Sequence, residues 1–395
     1  MTASSTRSQT RRRLLILAGA LFLLLAIAYG LWWWLYGSHF ESTDDAYVRG
    51  NLVQVTPQVS GTVVSIAADD TQSVQSGQAL VQLDPTDADI ALAQASSQLA
   101  QSVRQVRTRY MQNDALQADV DVKQANVKQA SSELSRARAD LGRRQSLSRS
   151  GGVSGEELQH AKDALLRAEA GLAQAQAALE AAKATLATNL ALTQGTEVAN
   201  HPDVQHAAAL VRAAWLARAR TSLPSPINGV VARRNVQVGQ KVTPGTPLMS
   251  VVGLDQLWVE ANFKENQLRQ MRVGQPVTLE ADLYGGSVSY HGVVTGLDAG
   301  TGSAFALLPA QNASGNWIKV VQRVPVRISL DPKELAEHPL RIGLSMNVTV
   351  DIAEEGQPHA HPAPAEPVLR TDALNTNLSE AEALVQRIIQ DNLAS

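Results

Sequence analysis

The histidines of this chain are of a type that could bind a metal ion or transfer protons, but they are widely dispersed. Of the eight, only His359 and His361 are close enough to bind one ion, with Glu354 and Glu355 as neighbouring carboxylates. That stretch is rich in proline, alanine and glutamate, a composition typical of a solvated linker. The chain has no cysteine, which excludes disulfides, thiolate nucleophiles and cysteine-bound metals. We therefore predict no metal site and no cofactor.

The sequence also lacks the motifs of nucleotide binding and of hydrolytic enzymes. Residues 300–303 read Gly-Thr-Gly-Ser and look like a phosphate-binding loop, but the lysine that should follow is missing. We interpret them as a turn between strands. No serine lies in a nucleophile-elbow pattern, and the formal net charge of −3 gives no reason to expect a nucleic-acid partner. The sequence predicts a protein that is not an enzyme.

The N-terminal region contains a long run without charges, over residues 14–36. About 20 apolar residues are enough for a helix to cross a bilayer. Arginines precede the run, acidic residues follow it, and three tryptophans (32–34) stand at its far end. A cleaved signal peptide is the alternative, but its apolar region should be shorter and end in small residues. We predict a cytoplasmic tail over 1–13 and one transmembrane helix over 14–36, with the remainder on the other side of the membrane.

Two segments, 57–84 and 225–252, repeat one pattern. In each, a glycine follows a turn and a second glycine lies 16 residues later, as Gly61 and Gly77 in the first copy and Gly229 and Gly245 in the second. We interpret the copies as two separated halves of one β-module, with 41–56 forming a strand that leads into the first half. The predicted boundaries are 45–84 and 222–252.

Residues 85–221, between the two halves, have the pattern of a long helical hairpin. Leucine and valine recur at intervals of seven, with Asn113 in one slot of the apolar row, and alanines form a second row. Such heptads predict a left-handed coiled coil in which a single asparagine fixes the register. Paired glycines at 151–152 predict a tight turn, and Ser154 with Glu157 predicts a capping box for the returning helix. About 60 residues per helix give an arm of about 90 Å, and we expect a break or kink over 195–202.

The remaining segments are a β-domain and a tail. From residue 257 the hydrophobic period becomes two, with glycine-rich turns between the runs, which predicts a small antiparallel β-barrel over 253–353. Residues 354–395 are a linker followed by a short amphipathic stretch over 378–393, and we predict that this tail is mostly disordered.

This order of elements resembles the membrane fusion protein (HlyD-like) family, the periplasmic adaptors of Gram-negative efflux and secretion pumps. The resemblance covers 39–350 and includes the motifs HFESTDDAYVRGN (39–51), LWVEANFKENQL (257–268) and GTGSAFALLPAQNASGNWIKVVQRVPVRI (300–328). It implies an elongated, multidomain α+β fold, with an N-terminal transmembrane helix, split biotinyl/lipoyl-like half-modules, an inserted α-helical hairpin and a β-barrel. Lipoyl carriers present a modified lysine where the halves join. Here Asp84-Pro85 stands at the join and no lysine does, so we exclude a carrier function.

The resemblance also implies a docking site at the hairpin tip. Family adaptors carry an Arg-x3-Leu-x6-Ser pattern that contacts a TolC-like outer-membrane channel, and Arg143, Leu147 and Ser154 have this spacing. A second interpretation stays open, in which Arg143 is a solvated charge, Leu147 is the last seam residue and Ser154 is only a helix cap.

As a member of this family, the chain would be anchored in the inner membrane, with its N-terminus cytoplasmic and its bulk periplasmic. Its expected partners are a major facilitator proton antiporter, a TolC-like channel and further copies of itself, six around a trimeric channel. Hydrophobic toxic compounds and antibiotics would be the substrates. Residues 311–323 are either a transporter contact or ordinary strand and loop packing. Two other functions remain open, an adaptor of an ABC-driven type I secretion system and a structural coiled-coil protein of the envelope.

Overall fold

A computed structural model describes residues 6–35, 37–149, 151–305, 321–354, 367 and 369–394. The chain divides into two units, one of Met1–Leu83 with Ser222–Asn375 and one of Asp84–Thr221 with Thr376–Ser395. The predicted order of β half-module, helical hairpin, β half-module and β-barrel is confirmed. His359, His361 and most of segment 311–323 lie outside the described residues.

The first helix, α1 (Thr6–Leu35), covers most of the run in which the transmembrane segment is predicted. Within the part of the chain that the structure describes, no helix has both the length and the apolar character needed to cross a membrane. The predicted span over 14–36 is therefore not confirmed.

The first strand, β1 (Phe40–Arg49), corrects the predicted start of the β-module. It was expected to lead into the first half-module, but it pairs with barrel strands on both sides. Ala46 and Val48 are fully buried in the barrel core. Alternating apolar residues fit the interior of any sheet, so the pattern predicted a strand correctly and its sheet incorrectly.

Eight strands form the split β-module, four from each half. They are β2 (Leu52–Val55), β3 (Gly61–Ile66), β4 (Ser73–Val74) and β5 (Ala79–Leu83), then β6 (Ser222–Pro224), β7 (Gly229–Arg234), β8 (Lys241–Val242) and β9 (Met249–Val252). They make two sheets in the orders β2-β9-β7-β4 and β6-β5-β3-β8. Each sheet contains strands of both halves, so neither half can complete a sheet alone.

The pairing between the halves follows the sequence repeat. Gly61 of the first copy pairs with Val242 of the second, and Gly229 of the second pairs with Val74 of the first. The equivalent glycines therefore lie at equivalent crossings of the two sheets, and one core is shared between both halves.

The second unit is helical. It contains α2 (Thr86–Ser148), α3 (Gly155–Thr193) and α4 (Pro202–Ala219), and α2 packs against both of the others. The gap between α3 and α4 lies where the sequence predicted a break. Asn113 donates to Thr193 Oγ1 (2.8 Å) and accepts from Asn189 Nδ2 (2.7 Å). It therefore meets specific polar partners on α3, as a register-setting residue should.

The β-barrel is closed by strands that are distant in sequence. After β1 come β10 (Trp258–Lys264), β11 (Pro276–Ala281), β12 (Ser289–Leu297), β13 (Arg323–Leu330), the short helix α5 (Pro332–Glu337) and β14 (Ser345–Asp351). The strand order around the barrel is β1-β10-β13-β12-β11-β14. Closure leaves no open sheet edge, and the inward-facing side chains make one apolar core.

The tail also differs from the prediction. Ser379–Ala394 forms a helix, α6, where mostly disordered chain was expected. Ala381, Val385 and Ile389 are buried, and Val385 and Ile389 lie in one apolar cluster with residues of α2 and α4. Their spacing of four residues puts them on one face of the helix, and a helix with such a face becomes ordered when that face is covered.

Candidate docking site at the hairpin tip

The predicted turn at the tip lies between the end of α2 at Ser148 and the start of α3 at Gly155, and the structure describes residues 149 and 151–154 of it. Gly151 has φ of 75°, a left-handed conformation that glycine adopts without steric cost. The backbone N–H of Gly151 donates to the Ser148 carbonyl (3.2 Å), and that of Gly152 donates to the Leu147 carbonyl (3.0 Å). These bonds satisfy carbonyl groups that the end of α2 would otherwise leave without a partner.

Ser154 caps α3 as the sequence predicted. The Glu157 N–H donates to Ser154 Oγ (3.2 Å), and the Ser154 N–H donates to Glu157 Oε2 (3.0 Å). Two hydrogen bonds hold the pKa of the Glu157 carboxyl below its ordinary value. The one from the Ser154 backbone N–H has the larger effect, and the one from the Ser154 hydroxyl comes second. The hydroxyl also donates to Glu157 (3.1 Å). One lone pair of Oγ therefore remains for an external donor, and the capping box itself is confirmed.

Arg143 lies one turn before the end of α2 and its side chain is 69% exposed. Its Nη2 is 3.1 Å from Asp140 Oδ1, while Arg144 Nε is 2.9 Å from Asp140 Oδ2. These two hydrogen bonds, Arg143 first, lower the pKa of Asp140. An ion pair at this exposure contributes little stability, so little free energy opposes the transfer of Arg143 to a partner carboxylate.

Leu147 completes the pattern as an apolar side chain that is 50% exposed at the tip. It lies four residues after Arg143, so both side chains project from the same side of α2. The structure thus gives α2 an adjacent cation and apolar group, and places Ser154 across the turn in the cap of α3. This arrangement can contact a helical partner through a charge, an apolar group and a hydrogen-bond acceptor.

Two sets of residues at this arm were not found from the sequence. Asp140, the counter-charge of Arg143, lies at a spacing of three residues that helix geometry alone makes an ion-pair position. Asn189 and Thr193, which are the partners of Asn113, could not be found in the same way. An antiparallel register is not visible in either helix by itself. Among the described residues, no cluster of histidine, aspartate or glutamate could hold a metal ion.

Comparison with known proteins agrees with this architecture. A family model described as "EMRA, alpha-helical hairpin domain" matches residues 86–221. The multidrug export protein EmrA of Escherichia coli K12 is 47% identical over 368 residues, which are 93% of this chain and 91% of that protein. The fatty acid resistance protein FarA of Neisseria gonorrhoeae is 45% identical over 386 residues, 98% of this chain and 93% of its own. The match to FarA therefore extends into the tail, beyond the 39–350 covered by the sequence motifs.

Solved structures give a weaker likeness. A structure of the periplasmic adaptor protein EmrA has 18% sequence identity and a TM-score of 0.39, and the match covers 79% of this chain and 98% of that one. That score is too low to support an argument, so the family assignment depends on the sequence identities. On those identities over nearly the whole length, the chain belongs to the EmrA-like membrane fusion proteins, the non-enzymatic adaptors of multidrug export.

Proposed function

We propose that this chain is the periplasmic adaptor of a tripartite efflux pump, in which it joins an inner-membrane major facilitator proton antiporter to a TolC-like outer-membrane channel. The observation that carries the proposal is the arm. α2 has 63 residues, about 95 Å at 1.5 Å per residue, and it ends in an exposed Arg143 and Leu147. An arm of this length with an adhesive tip is suited to reach a partner across the periplasm.

The remaining elements take their roles from this arrangement. The charge-free run over 14–36, with arginines before it, favours a single inner-membrane anchor with a cytoplasmic N-terminus. The β-module and β-barrel would contact the transporter. One chain cannot enclose a path, so several copies are required, and we propose six. Relatives named for multidrug export and for fatty acid resistance support hydrophobic toxic compounds as the exported class.

The tip is tested by replacing Arg143→Asp and Leu147→Asp together in the full chain. Both side chains are exposed, so folding and membrane anchoring should be retained while drug resistance is lost. A matched control replaces Leu166→Asp and Arg167→Asp, which are the same residue types at exposed positions along α3. Resistance that survives the tip change, or is lost equally in the control, would contradict the docking assignment.

The partners are tested by crosslinking the intact chain in its native envelope and identifying what copurifies. A major facilitator transporter together with a TolC-like channel is the expected result. Recovery of an ABC exporter would instead make the chain a type I secretion adaptor, and recovery of neither would favour a structural role in the envelope.

A further inference from the structure

The C-terminal helix α6 packs its apolar face into a core that it shares with α2 and α4. Val385 and Ile389 are 0% and 2% exposed, while Val120 and Leu179, where α2 and α3 pair without a third helix, keep 9% and 6%. The surface of α2 and α4 that faces α6 is called the base groove. Its residues, all at most 2% exposed, are Leu99, Val103, Val106, Val204, Ala207, Ala208 and Val211.

Polar contacts at both ends of α6 set its direction in the base groove. Near its start, Arg212 Nε donates to Glu382 Oε2 (2.8 Å) and Arg212 Nη2 donates to Glu382 Oε1 (3.3 Å). Near its end, Arg107 Nη1 donates to the Asn392 carbonyl (3.5 Å), and Arg104 donates to the Asn392 side chain. An acid at the first turn and cations at the last carbonyls both complement the helix dipole, so a reversed α6 would lose both sets of contacts.

The connection to α6 contributes no helix or strand of its own in the part that the structure describes between residues 353 and 378. The contacts that hold α6 in the base groove are those of its apolar face and its two ends. This is the mode in which an amphipathic helix is recognised by a hydrophobic groove.

We propose that the base groove is a helix-recognition site whose ligand is the chain's own C-terminal helix, and that α6 is a separable clasp required for an ordered adaptor. When α6 leaves, its own apolar face loses its cover, and so does the side of the base groove against which it packs. A contiguous exposed apolar surface of this kind associates with other molecules, and the nearest complementary surface is the base groove of a second copy. The requirement for export rests on the proposed function, whereas the docking does not.

Docking is tested by crosslinking in the full chain, which has no native cysteine. Arg212→Cys with Glu382→Cys should react with a short bifunctional maleimide within one chain. The pair Arg212→Cys with Ala383→Cys, one residue further on but facing solvent, should react at least about fivefold more slowly because successive helical residues point about 100° apart. Equal rates, or crosslinks mainly between chains, would overturn the proposal.

The clasp is tested by adding Val385→Asp and Ile389→Asp to the first cysteine pair. We expect crosslinking to fall to the control rate, self-association to appear in gel filtration, and drug resistance to be lost. Ala383→Asp with Gln390→Asp adds the same charges on the exposed face of the same helix and should change none of the three. A released α6 with unchanged dispersity and resistance would overturn the clasp. If the aspartate variant alters docking and dispersity, but drug resistance does not depend on the adaptor at all, then the clasp stands. That result would contradict only the proposed efflux function.

A charge exchange keeps the test valid if the aspartate variant does not fold. Arg212→Glu or Glu382→Arg alone should raise the amide exchange rate of residues 385–389 by about two- to fivefold, the range for a partly exposed ion pair. The two changes combined should restore the original rate. Unchanged exchange in both single variants would overturn the recognition of α6 by Arg212.

Discussion

At the residue scale, Ser154 shows how one side chain can serve two interpretations of the same motif. Its backbone and hydroxyl both bond to Glu157, so its capping role is observed, and its role towards a channel stays a prediction. The two can be separated because asparagine is as good an N-cap as serine but presents a different group to a partner.

Ser154→Ala should destabilise the start of α3 by about 1 kcal/mol, the usual effect of losing an N-cap. Ser154→Asn should retain the stability. Amide exchange at residues 155–158 measures both. If the asparagine variant keeps drug resistance, helix capping is the only role of residue 154 at the tip. Equal amide exchange in the alanine and asparagine variants would contradict the capping role of Ser154.

Gly229 lies where the neighbouring backbone leaves no room for a side chain. A Cβ at this position would lie 2.1 Å from the carbonyl oxygen of Val252, which is backbone and cannot move aside. At the equivalent Gly61, the nearest atom would be Leu83 Cβ at 3.2 Å. Gly229→Ala should therefore lower the free energy of unfolding by about 1–3 kcal/mol, as overpacking does, and Gly61→Ala should lower it less. Thermal unfolding of the two variants tests this order, and an equal loss would show that the crossings are not constrained as described.

At the element scale, the seams of the hairpin were predictable and its polar contacts were not. Heptad spacing depends on residues within one turn of each other, so it is visible in the sequence. The bonds of Asn113 to Asn189 and Thr193 depend on how two antiparallel helices align. Likewise the amphipathic pattern of α6 was recognised, but its partner lies about 170 residues away on α4, and no local signal names it.

The pairing of α6 with α4 should depend on pH through Glu382. Hydrogen bonds, first from Arg212 and then from Gln386, hold the pKa of Glu382 below its ordinary value of 4.5. Because the folded pKa is the lower one, the stabilisation is complete above pH 4.5 and is lost as the pH falls through the lowered pKa. The protection of the α6 amides, which is the exchange rate corrected for its intrinsic dependence on pH, should fall over that acidic interval. Glu382→Gln should abolish this fall. An unchanged pH profile in the glutamine variant would assign the effect to another carboxylate.

At the scale of the whole molecule, the proposed function makes the length of the arm a requirement. Residues 121–127 of α2 and 175–181 of α3 lie across the coiled coil from one another, as the Asn113–Asn189 pair shows by its register. Removing both heptads should shorten the arm by about 10 Å while keeping every seam residue in phase.

The shortened chain should fold and unfold like the original yet give no drug resistance, measured as the inhibitory concentration of a hydrophobic antibiotic. Removing residues 121–127 alone is the control, since it puts the facing helices out of register and should destabilise the hairpin itself. Full resistance in the doubly shortened chain would show that the arm does not need its length to reach a partner.

The sequence by itself determined those features that depend on neighbouring residues. These are the heptads of the hairpin, the tight turn at its tip with the capping box, the period-two strands of the barrel and the repeat of the two β half-modules. Each is a local regularity that one type of backbone structure requires, so each could be predicted without knowledge of the fold.

Tertiary structure alone decided which surfaces meet. β1 alternates as any half-buried strand does, and only the closed barrel places Ala46 between Ala261 and Met346. α6 has an apolar stripe that would suit many partners, and only the base groove gives it Arg212 at one end and Arg107 at the other. The physical reason is common to both, because pairing across some 170 to 300 residues is selected by the burial and charge of the complete molecule, which no stretch of sequence contains.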